Sequence, residues 1–87
     1  MSVVEAMRAS LAALAPVIIE IDDDSAKHAG HAGARSGGGH FRLTIVSSRF
    51  AGCRTIERHR LVYDALGPLM KREIHALSII ARTPDEK

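Results

Sequence analysis

The chain is poor in the residues that most directly announce chemistry. It has one cysteine, Cys53, no tryptophan, and as aromatics only Phe41, Phe50 and Tyr63. A lone cysteine makes no internal disulfide, so a reducing compartment, the cytoplasm, is expected. Three aromatics are too few for a base-stacking platform on single-stranded nucleic acid. No apolar run approaches the length of a membrane helix, because the longest stretches, residues 17–21 and 76–81, are only strand-length. The N-terminal residues lack a basic region followed by an apolar stretch, so no secretory signal is expected. The acids Asp22-Asp23-Asp24 lack the spacing of a calcium loop, and Gly37-Gly38-Gly39 is not followed by the Gly-Lys-Ser/Thr of a phosphate loop. A chain of 87 residues buries roughly 60–65% of its unfolded surface, enough for one thin core but not for a deep catalytic cleft. With no Ser/His/Asp order and no spaced acid pair, no enzyme is expected.

What the chain does have is histidine: His28, His31, His40, His59 and His75. It also has a lopsided charge. Residues 1–24 set Arg8 against Glu5, Glu20, Asp22, Asp23 and Asp24, whereas residues 42–72 set Arg42, Arg49, Arg54, Arg58, Arg60, Lys71 and Arg72 against Glu57 and Asp64. Such a basic stretch fits either an anionic partner or a solvated helix face.

Periodicity gives the fold class. Ser2-x-x-Glu5 is a capping box, and Val3, Met7, Leu11 and Leu14 recur at helical spacing until Pro16. Val17, Ile19 and Ile21 alternate with Ile18, Glu20 and Asp22, as in a strand whose early part is covered on both faces. Residues 25–39 hold five of the seven glycines and no large apolar side chain, and read as a flexible Gly/His-rich loop. Phe41, Leu43 and Ile45 alternate as a second strand, antiparallel to the first. A helix from Arg54 through Ile56, Leu61, Val62, Ala65 and Leu66 ends at Gly67. Pro68 opens a short helix holding Leu69, Met70 and Ile74, and Leu77, Ile79 and Ala81 alternate as a last strand ending at Pro84. The helical connection makes the last two strands parallel. The expectation is a single α+β domain over residues 1–87, α-β-β-α-α-β, with a three-stranded mixed sheet covered by helices on one face. The other face is left open or meets a partner.

Several segments carry a family resemblance. Arg58-His59-Arg60-Leu61-Val62-Tyr63, Ile74-His75-Ala76-Leu77-Ser78-Ile79 and Thr83-Pro84-Asp85-Glu86 resemble the signature of the BolA family. So does His40-Phe41-Arg42-Leu43-Thr44-Ile45-Val46-Ser47, followed by Arg49-Phe50. The resemblance spans residues 3–86 and implies a fold similar to a type II KH domain without its Gly-x-x-Gly clamp. It implies two functions. One is pairing with a monothiol glutaredoxin to hold a 2Fe-2S cluster, shared with glutathione, in iron–sulfur trafficking or iron and redox regulation. The other is binding double-stranded DNA as a stress-linked transcription regulator through the helix-turn-helix-like segment. Weak homodimerisation is a further candidate; no membrane partner is expected.

The resemblance also sorts the histidines. His75 is similar in position to the family's cluster ligand; from the residues alone it reads first as a cap on a helix C-terminus. His28 looks like the family's second ligand in the loop, with His31 the alternative three residues on. His40 begins a strand and is set aside as a ligand. His59 lies between two arginines and is read as a partner-contact or structural residue. Cys53 is read as a small turn residue beside Arg54. For DNA, the candidate contacts are Arg58, Arg60, Lys71 and Arg72.

Overall fold

The computed structural model describes residues 2–24 and 39–86; His28 and His31 therefore lie outside the described residues. The element order is α1 (Val3–Leu11), β1 (Ile18–Asp23), β2 (Gly39–Val46), α2 (Thr55–Leu66), α3 (Leu69–Arg72) and β3 (Ile74–Arg82), with single 3-10 turns at Ala12–Leu14 and Ser48–Phe50. This is the expected α-β-β-α-α-β order.

Local chemistry accounts for the element ends. The Ser2 hydroxyl accepts from the Glu5 amide at 3.1 Å, satisfying one of the free N–H groups at the start of α1. At the start of α2 the Glu57 carboxylate reaches back to the Arg54 amide at 2.8 Å. Gly67 ends α2 with φ 54° and ψ −128°, a conformation that a side chain would strain. Ala15, at φ 48°, turns the chain after the first 3-10 turn. A left-handed alanine costs about 1–2 kcal/mol; two residues on, the Val17 amide donates to the Val46 carbonyl at 2.8 Å and opens the ladder.

The sheet order is β1-β2-β3. β1 runs antiparallel to β2, and β2 runs parallel to β3. Phe41, Leu43 and Ile45 of β2 point into a core completed by Met7, Leu11, Leu14, Phe50, Val62, Leu66 and Ile74. Burying each large side chain contributes roughly 1.5–3 kcal/mol. The helices supply one side of this core; the alternate residues of the sheet form an open face.

Three details differ from the sequence expectations. β1 is an edge strand rather than a covered one: Val17 is 65% exposed, and Ile18, Ile19 and Ile21 are only half-buried. Ile56 sits on the outer side of α2, 59% exposed, although its neighbours Val62 and Leu66 are buried. β3 starts at Ile74, so α3 is a single turn and Ile74 enters the core from a strand.

Ser47 ties the layers together. Its hydroxyl is fully buried and donates to the Leu14 carbonyl at 2.5 Å, and it accepts from the Arg49 amide at 3.1 Å. Its own amide donates to the Arg82 carbonyl at 2.9 Å. Replacing Ser47 with alanine strands the Leu14 carbonyl in the core. The expected loss is about 1–3 kcal/mol, which thermal melting reads as a fall of roughly 4–8 °C per kcal/mol in a domain of this size.

Candidate functional site

The bulge between β2 and β3 builds the site. Gly39 pairs with Ile74, but His40 pairs with Ala76, so His75 is the extra residue. An extra residue lets the strand place two successive side chains on the same side. Here those two are His75 and Ala76, both exposed, while Ile74 before them is buried. His40, next on the open face of β2, is half-buried. The two imidazoles meet, with ring centroids 5.2 Å apart and planes tilted by 43°.

Asp24 continues the same row across the sheet. Its amide donates to the His40 carbonyl at 2.7 Å, and its carboxylate pairs with the Arg42 guanidinium at 2.7 Å. This corner thus holds two imidazoles beside an ion pair. Among the described residues no group of three or more His, Cys, Asp or Glu side chains is arranged to hold a metal ion. The partner of His75 that the structure brings forward is His40, which strand position alone gave reason to set aside. No local pattern marks it, because the contact depends on the register of β2 against β3.

Cys53 lies at the other end of β3. Its carbonyl accepts from Arg58 Nε at 2.9 Å, and Arg58 also donates to the Ala81 carbonyl at 3.1 Å. Six residue steps of strand run from His75 to Ala81, a span of roughly 20 Å. His75 and Cys53 therefore stand toward opposite ends of β3. At the His75 end the described residues bring together two imidazoles and the Asp24–Arg42 ion pair.

Arg58, a candidate DNA contact, is occupied within the chain. Both of its terminal nitrogens engage the Glu86 carboxylate, at 2.5 and 2.9 Å, and only 14% of its side chain is exposed. The Thr83 amide also donates to Glu86 at 3.0 Å. Arg60, Lys71 and Arg72 are exposed. Arg72 lines a cleft of about 360 Å³ with Asp23 and Glu73, so acids stand near its charge. His59 is half-buried on α2.

Comparisons with known proteins agree with this architecture. The BolA-like protein family model matches residues 11–86. The chain is 49% identical over 78 residues to SufE-like protein 1, chloroplastic/mitochondrial, of Arabidopsis thaliana, covering 84% of this chain and 21% of that protein. It is 45% identical over 80 residues to BolA-like protein 1 of Mus musculus, covering 91% of this chain and 56% of that one. The solved structure of BolA1 from Arabidopsis thaliana superposes with a TM-score of 0.83 at 38% identity, covering 100% of this chain and 98% of that chain. An α+β layer of this topology, matched end to end by a solved BolA structure, defines the class. The chain belongs to the BolA-like protein family. It spans about a fifth and just over half of the first two relatives' lengths.

The Arg58–Glu86 clamp is acid-sensitive. Hydrogen bonds from Arg58 and then from the Thr83 amide pull the Glu86 carboxyl down from 4.5 to about 2. A carboxyl whose folded pKa is depressed stabilises the fold above its ordinary pKa and loses that contribution as pH falls through the folded value. The melting temperature of the wild type should therefore drop between about pH 4.5 and pH 2. Glu86→Gln should start lower at neutral pH and fall less over that window. Parallel curves for the two would show that the clamp carries none of the acid sensitivity.

Proposed function

We propose that this protein is an accessory partner in iron–sulfur chemistry. It pairs with a monothiol glutaredoxin to hold a 2Fe-2S cluster, with His75 as its own ligand and no reaction catalysed by the chain itself. The observation that carries this reading is the placement of His75, exposed at a sheet corner with imidazole beside it, while the chain's single cysteine is tied through Arg58 to the opposite end of β3. Glutaredoxin and glutathione would supply the thiolates, and a loop histidine, His28 or in its place His31, a further ligand. When bound, the cluster supplies electron-transfer and iron-carrier chemistry, and imidazole ligation raises its potential relative to thiolate alone. The protein's own part is to present a rigid imidazole on a strand rather than on a loop. No helix among the described residues is long and apolar enough to cross a membrane. A reducing compartment suits free thiolates; we place the protein in the cytoplasm, while noting that a relative is named for chloroplasts and mitochondria.

The test mixes the protein with a monothiol glutaredoxin, iron, sulfide and glutathione, and records visible absorption and circular dichroism. His75→Ala should change the spectrum and shorten the cluster's lifetime, whereas Cys53→Ser should leave both unchanged. A His75→Ala complex indistinguishable from wild type would overturn the assignment.

A second reading rests on one relative. A protein of Escherichia coli (strain K12) named DNA-binding transcriptional regulator BolA is 39% identical over 75 residues, covering 86% of this chain and 69% of that one. Here Arg60, Lys71 and Arg72 would meet duplex phosphates, while Arg58 is held by Glu86. Three phosphate contacts give a slope of about −3 for log affinity against log salt. A gel-shift series should show that slope flattening by about one for each of Arg60→Ala, Lys71→Ala and Arg72→Ala. Binding indifferent to salt and to these changes would remove this reading.

A further inference from the structure

We propose that His40 and His75 together chelate a single divalent transition-metal ion, with zinc as the representative, without any partner protein. The argument is geometric. Zinc binds imidazole nitrogen at about 2.0–2.1 Å in tetrahedral geometry, which sets the centroids of two ligating rings roughly 5 Å apart. The rings of His40 and His75 are already 5.2 Å apart. Their planes are tilted by 43° rather than parallel. Both side chains stand on paired strands, one half-buried and one exposed.

The neighbours define what kind of site this is. The Asp24 carboxylate is already paired with Arg42, and no third described His, Cys, Asp or Glu completes a metal-binding group. Two imidazoles leave two tetrahedral positions, which water fills in the isolated chain. That makes an open, exchangeable site. It lacks the closed shell of four protein ligands typical of structural zinc. Imidazole donors suit zinc, copper and nickel, and a simple pair favours copper over nickel in affinity. Because the pair includes His75, a bound divalent ion would compete with any other use of that ring.

Isothermal titration of the full chain with zinc chloride, in the absence of glutaredoxin, tests the site. Wild type should show one saturable site. His40→Gln and His75→Gln should each weaken binding at least tenfold. The double variant should be little worse than either alone, because losing one ring already destroys the chelate. Changing His28 and His31 together to glutamine should alter affinity less than twofold. Imidazole NMR on wild type avoids any dependence on variant folding: the ring signals of His40 and His75 should shift together on adding zinc. Zinc binding by His40→Gln as tight as wild type, no saturable site in wild type, or ring signals that move separately would each overturn the proposal. The inference does not rest on the glutaredoxin reading. A chain that binds zinc but forms no cluster would keep the first and lose the second.

Discussion

The alternation of β2 is the constraint on which the rest of the domain depends. It is the middle strand, paired on both edges, and its odd-numbered residues Phe41, Leu43 and Ile45 are buried against the helices. Once that face is committed to the core, the even-numbered residues have no choice. His40, Arg42 and Thr44 must lie on the open side. A slip of one residue would exchange the two sets and place an imidazole and a guanidinium in an apolar layer. The cost of that exchange holds the register, and the register in turn brings His40 to the corner where β3 begins.

The bulge at that corner reconciles two demands made on neighbouring residues. Ile74 is needed in the core and His75 at the surface, a sequence that a regular strand also satisfies. The bulge adds a second effect: it turns both His75 and Ala76 outward, so that His75 stands beside the ring of His40. The opposite end of β3 is organised by different chemistry. There Arg58 spans α2, the Cys53 carbonyl, the Ala81 carbonyl and Glu86. One end of the strand is locked by a charged clamp, and the other presents imidazole to solvent.

Much of this was legible in the sequence where the signal is local. The first helix announces itself through Ser2-x-x-Glu5 and the spacing of Met7, Leu11 and Leu14, and the strand around Leu43 through strict alternation. The parallel pairing follows from a helical connection. The boundary within residues 69–74 is not legible, because Leu69, Met70 and Ile74 fit a short helix as well as a strand entry, and one turn carries too little periodicity to decide. Ile56 fits an inward helical position by type, but only packing fixes which side of a helix faces the core. His75 was marked by its place in a family motif. Its neighbour His40 was not, since their contact depends on a non-local register with one irregular residue. The engagement of Arg58 by Glu86, 28 residues away, is likewise invisible to a reading by motif.

The parallel pairing of β2 and β3 has a consequence for how the molecule comes together. Strands that run the same way cannot be joined by a tight turn, so β3 docks only after α2 and α3 have carried the chain back along the sheet. The antiparallel pairing of β1 and β2 makes no such demand, and long-range parallel pairing is slow because the loop entropy is spent before contacts reward it. The histidine corner is therefore absent from every partly assembled form in which residues 74–82 are still undocked. Any ligand that needs both rings would recognise only the finished fold, and would resist its unravelling from that edge.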